Sequence, residues 1–155
     1  MNFEIIISNH SFMQQCGVAT VTKQSIPSWL IEDQDEARVA AMPADTAILV
    51  ILKEVSEQLT SEELAAIIAH EEGHHACDHM DKHAGYQTAL EIEADAYAIS
   101  KVGAKALYSA VRKCLLVATA TEAKTDKMSN TEVFGNLRYA AKKLKPRFVA
   151  MRAAM

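Results

Sequence analysis

Cysteine is scarce in this chain of 155 residues: Cys16, Cys77 and Cys114 are odd in number, far apart and without a CxxC pair. That excludes a disulfide framework or a cysteine-rich zinc knuckle and fits reduced thiols in a cytoplasmic setting. With only five Gly and three Pro there is no linker-like or low-complexity stretch, and half the residues are apolar, so the chain has the balance of an ordinary globular protein. No apolar run approaches the roughly eighteen residues of a membrane span, and the opening MNFEIIISNH lacks the basic start of an export signal. Strong net charge is missing too. A formal −4 does not suit a nucleic-acid binder.

What charge there is lies unevenly. After Glu132 no acidic side chain follows, whereas Arg138, Lys142, Lys143, Lys145, Arg147 and Arg152 are all basic. A solvated helix face ending in a flexible basic tail over 146–155 accounts for this. At 17.0 kDa, residues 1–155 are expected to form a single domain.

FEIIIS (3–8) and GVATVT (17–22) are rich in β-branched residues and read as strands, arranged as a hairpin. IPSWL is a turn or short helical piece and IEDQDEA an exposed acidic connection, and then TAILVILK (46–53) forms the best-buried strand. Thr60 and Glu63 have capping-box spacing ahead of a helix over about 61–80. Further helices are expected over about 87–102, stopped by Gly103, over 104–120, and over 130–145 before Pro146. The class is α+β, with a small, mainly antiparallel N-terminal sheet followed by about four helices.

The chemistry concentrates in AHEEGHHACDH (69–79), which contains the H-E-x-x-H pattern His70-Glu71-Glu72-Gly73-His74. Histidines four apart project from one helix face on successive turns, so two imidazoles can converge on one metal ion with Glu71 beside it. Such a zinc site takes a third protein ligand and leaves a position for a water of lowered pKa, from which Glu71 can accept a proton as general base. A surface helix with scattered histidines is the plainer alternative. The apolar turns through Leu64, Ala65, Ile67, Ile68 and Ala69 weigh against it, because buried paired histidines need a partner.

The next helix offers the third ligand. Glu91, Ala94, Asp95 and Ala98 share a face, and the alanines permit close helix approach. Glu91 is therefore assigned as ligand and Asp95 as a carboxylate that holds a ligand imidazole by its other nitrogen, with Glu93 as the fallback ligand. Cys77 fits core packing better than the metal. His75 and His79, another pair four apart, are expected around the site or in solvent.

These residues resemble a known group. TSEELAAIIAHEEGH followed by EIEADAYA is similar to the gluzincin zinc metallopeptidases of the M48 type, which include the HtpX proteases and the minimal soluble minigluzincins. The resemblance spans about 40–112 and implies a zincin-like fold, one Zn2+ per chain on His70, His74 and Glu91, Glu71 as base and Asp95 in support. It also implies that the strand at 47–53 is an edge strand along which a peptide or protein substrate pairs. Only sixteen residues separate His74 from Glu91, which points to a pared-down form without membrane segments. The chain has no His-Pro, so the group that stabilises the oxyanion is open among Arg138, Tyr139, His83 and Tyr97. Two other readings are a repressor-cleaving protease of the ImmA type and a non-catalytic protein in which zinc ties helices together for partner binding.

Overall fold

The computed structural model describes residues 2–9, 17–79 and 87–155. It is α+β: a three-stranded sheet near the N-terminus is followed mainly by helices. The chain falls into two compact units, Met1–Gln58 with Cys114–Ser129, and Leu59–Lys113 with Asn130–Met155. Among the described residues no helix is long and apolar enough to cross a membrane.

In the first unit, strands β1 (Phe3–Ser8), β2 (Val18–Thr22) and β3 (Ala47–Leu52) form the sheet, with helix α1 (Asp33–Ala41) between β2 and β3 and helix α2 (Lys53–Gln58) directly after β3. Strand order is β1-β3-β2. The β-branched segments thus form strands where expected but do not make a hairpin. β1 runs parallel to β3 in the register Phe3 to Ala47, and β2 antiparallel in the register Val18 to Ile51. The sheet is mixed rather than mainly antiparallel.

β3 is consequently the central strand, not an edge. All six of its residues are buried. A continuous apolar run has no polar face to give to solvent and takes the middle of a sheet, where its amides and carbonyls pair on both sides. With β1 and β2 occupying those sides, a substrate strand cannot add to 47–53. One face of the sheet, through Ile6, Ile48 and Val50, packs on Leu30, Val39 and Met42. Val39 is the residue through which the acidic segment IEDQDEA and its continuation gain a buried helical face. Three acids in the first turn of α1 complement its dipole.

The second unit carries the H-E-x-x-H segment. Helices α3 (Ser61–Ala76), α4 (Thr88–Val102) and α6 (Asn130–Ala153) belong to it, together with the first half of α5 (Ala104–Thr125). α3 starts with the expected capping box: Glu63 N–H donates to Thr60 Oγ1 at 3.1 Å, and Thr60 N–H donates to Glu63 Oε1 at 2.8 Å. Glu63 is itself buried, and its carboxylate also accepts from Ser109 and Lys113 of α5. Burial alone would raise its pKa, but these donors hold it at about 2. Gly103 ends α4 at φ 91°, donating its N–H to Ile99 O as a C-terminal glycine does.

α6 corrects the expectation for 146–155. Helix continues through Pro146 to Ala153, so this stretch is no flexible tail. An interior proline costs about 3 kcal/mol by deleting a hydrogen bond and crowding the preceding turn. Here the continuation is held by contacts at helical spacing: Leu144, Arg147 and Met151 are buried, and Phe148 packs edge-on against Tyr108 with ring centroids 5.3 Å apart. Arg152 donates to the Tyr108 hydroxyl at 2.9 Å.

Candidate metal centre

The site sits where α3 crosses α4, and Gly73 sets how closely they approach. A Cβ at position 73 would lie 2.9 Å from Ala94 O and 3.0 Å from Tyr97 Cβ. Real Cβ contacts do not become so short against backbone, so only glycine allows this crossing; the roughly 1 kcal/mol it costs in helix propensity relative to Ala is offset by the packing. Ala94 and Ala98, both fully buried, supply the small surface on the α4 side, as their spacing suggests.

At this distance the paired histidines meet the carboxylate predicted for them. Glu91 Oε2 lies 2.9 Å from His70 Nε2 and 3.4 Å from His74 Nε2, and the two nitrogens are 3.2 Å apart. Ligands about 2.0–2.1 Å from a tetrahedral zinc ion are separated from one another by about 3.3 Å. The three observed separations bracket that value, so the spacing of these atoms suits a small divalent cation. Glu71, half-buried on α3 between the histidines, contributes negative charge at His70.

His70 is held from behind. Asp95 Oδ1 is 2.8 Å from its Nδ1, and a carboxylate can only accept, so Nδ1 carries the hydrogen and Nε2 faces Glu91 and His74. Asp95, 1 % exposed, is gripped in turn by Arg147, which donates from Nε to Oδ2 at 2.7 Å and from Nη2 to Oδ1 at 2.8 Å. The fork geometry of guanidinium and carboxylate makes this the strong kind of ion pair. Arg147 Nη1 also approaches Glu91 Oε2 at 3.8 Å.

The electrostatics follow. Burial disfavours the His70 imidazolium, but the Asp95 and Glu91 carboxylates outweigh it and raise the pKa to about 9. Burial likewise opposes ionisation of Glu91 and Asp95, yet the histidines and Arg147 hold both carboxyls below the usual range. In the metal-free chain a proton therefore occupies the space between His70 and Glu91. A pocket that concentrates anionic and lone-pair donors on one proton is one that a cation can enter in its place.

The other candidate residues lie around or away from this group. Glu93 does not join this group but meets His79 Nε2 at 2.8 Å, while His79 Nδ1 lies 2.9 Å from His74 Nδ1. His75 faces solvent and His79 is buried, so the second histidine pair divides between the two environments. Cys77 lies with His79 and Glu93, whose ligand atoms are within 4.8 Å of one another, and not with the His70 group. Tyr97 stands at the helix crossing with Lys101 over its ring at 5.3 Å. Arg138 and Tyr139 are on the exposed side of α6, Tyr139 at 72 % exposure, and His83 lies outside the described residues. The arginine that α6 brings to the site is Arg147, nine positions on from Arg138, or about 13 Å along a helix.

No family model, no curated protein and no solved structure matches the chain.

Proposed function

We propose that the chain is a zinc-dependent metallopeptidase of the gluzincin, M48-like type, acting on peptide bonds in a cytoplasmic setting. The observation that carries the reading is the convergence of His70 Nε2, His74 Nε2 and Glu91 Oε2 within 3.4 Å, with Glu71 between the two histidines on α3. One zinc ion per chain would be held by these three residues and would supply Lewis acidity for lowering the pKa of water and polarising a carbonyl.

The remaining roles belong to the protein. Glu71 is the general base: its carboxylate accepts a proton from the attacking water and passes it to the amine as the C–N bond breaks. Asp95 fixes the His70 tautomer and ring orientation, and Arg147 keeps that carboxylate ionised and aimed. Burial of His70 and Asp95 restricts water around the ligands and strengthens these electrostatic contacts. The substrate class is a peptide or protein, bound elsewhere than along β3.

Glu71→Gln tests the reading. The variant is expected to bind one equivalent of zinc like the parent and to lose cleavage of a broad peptide library by a factor of about 10² or more. Cleavage by the variant at the parental rate would refute the mechanism. A parent chain that binds zinc and cleaves nothing would instead make the ion a clamp between α3 and α4.

A further inference from the structure

The end of α3 is built to put a second imidazole against the first. Asp78 has φ 58°, the left-handed conformation, and the helix closes with two bonds: His79 N–H to His74 O at 2.8 Å and Asp78 N–H to His75 O at 3.0 Å. This is the Schellman pattern with Asp78 in the position usually given to glycine. In that motif the residue after the left-handed one folds back onto the residue five before it, commonly as an apolar contact. Here the two are His79 and His74, with ring centroids 5.2 Å apart and Nδ1 to Nδ1 at 2.9 Å.

The hydrogen-bond polarity of this contact follows from its far end. His79 Nε2 is 2.8 Å from Glu93 Oε2, and an ionised carboxylate accepts only, so Nε2 carries the hydrogen. In a neutral ring Nδ1 is then the acceptor. His74 must donate to it from its own Nδ1, which leaves Nε2 as the His74 nitrogen that faces His70 and Glu91. We infer that His79, oriented by Glu93, is a positioning residue for His74, matching on the second ligand what Asp95 and Arg147 do on the first.

This deepens the metal-centre reading and rests on it. The cluster of Cys77, His79 and Glu93 has another conceivable use, as a metal site of its own. Both ring nitrogens of His79 already face His74 and Glu93, at 2.9 and 2.8 Å, so positioning accounts for it better. His79 is 1 % exposed, whereas Glu93, at the outer end of this chain of bonds, has a side chain 59 % exposed.

Two measurements test the inference. In the metal-free protein, ring nitrogen shifts from two-bond proton–nitrogen spectra at pH 8 should show His79 protonated at Nε2 and bare at Nδ1. The opposite tautomer overturns the inference whether or not zinc binds. In the second, zinc affinity is read by competition with a chromophoric chelator, and site geometry by the visible spectrum of the Co2+ form. His79→Gly should weaken zinc binding about 10- to 100-fold and alter the Co2+ spectrum, and added imidazole should restore both. His79→Phe, which fills the same buried space without a nitrogen, should show the loss without rescue. Parental affinity in both variants, a loss in His79→Gly that imidazole does not repair, or a sulfur-to-cobalt band removed by Cys77→Ser would each overturn it. Failure of the parent to bind zinc at all would refute the metal centre, a result distinct from these.

Discussion

Replacing Arg147 by Met should destabilise the protein far more than an ordinary change on a basic helix. The substitution keeps the aliphatic stem and removes two charge-assisted bonds, 2.7 and 2.8 Å long, from a carboxylate that is 1 % exposed. Breaking a buried pair from one side costs about 3–5 kcal/mol, because the remaining charge is left without its partner in a poorly solvated place. His70 stays at 2.8 Å from Asp95 and carries compensating positive charge in the metal-free protein, which puts the expectation at the lower end, about 3 kcal/mol. That is a large fraction of the roughly 5–15 kcal/mol by which domains are stable. Urea unfolding of the metal-free protein followed by far-ultraviolet circular dichroism reads this directly. Asp95→Asn and the double variant complete a cycle, in which the coupling should exceed about 2 kcal/mol, and Arg147→Lys, which keeps the charge but not the fork, should fall between. A loss below about 1 kcal/mol for Arg147→Met, or strictly additive variants, would show that Arg147 does not hold Asp95 as described.

Gly73→Ala, normally a stabilising change in a helix, should here lower the thermal midpoint and weaken zinc binding together, since the added Cβ meets Ala94 backbone at 2.9–3.0 Å; a raised midpoint would contradict the close crossing. Removal of residues 146–155 should lower stability by at least as much as Arg147→Met, because Phe148 and Met151 leave as well, and a truncated chain of parental urea midpoint would return this stretch to the status of a tail. The metal-free protein should show a two-sided pH dependence. His70, raised from 6.5 to about 9, contributes stability that is full below about 6.5 and lost as pH rises through 9. Glu91 and Asp95, lowered from 4.5 and 3.8, contribute stability present above those values and lost on further acidification. Urea midpoints should therefore be highest at about pH 5–6.5, and the alkaline decline should shrink in His70→Asn. At the helix end, Asp78→Gly should match or exceed parental stability by a few tenths of a kcal/mol to about 1 kcal/mol, whereas Asp78→Val should lose both stability and zinc affinity, because a β-branched residue resists positive φ.

The parts of the site legible in the sequence are those governed by a local period. His70 and His74, and Glu91 with Asp95, sit four residues apart on helices, and that spacing alone decides which side chains share a face. The capping box at Thr60 and the stop at Gly103 are equally local. Arg147 was hidden for two reasons. It follows a proline that usually ends a helix, and it stands among five other basic residues, so neither its burial nor its partner 52 residues away leaves a local trace. The position of His79 is obscured by the turn before it: Asp rather than Gly takes the left-handed conformation, so no local signal stops the helix before 80 or marks the fold-back of His79 onto His74. The central place of β3 was beyond reach because strand order depends on pairing between distant segments, and the acidic α1 looked like a loop because Val39 is its one buried residue.

The long span between Asp95 and Arg147 also has a consequence in time. A ribosome adding about 5–20 residues per second needs some 3–10 s to make the 52 positions that separate them. Through that interval His70, His74, Glu91 and Asp95 have been synthesised but the guanidinium that grips Asp95 has not. The nascent protein thus passes through a stage in which the ligands are present and their support is not. The His70–Asp95–Arg147 array is complete only when α6 docks, after residue 147 has been made.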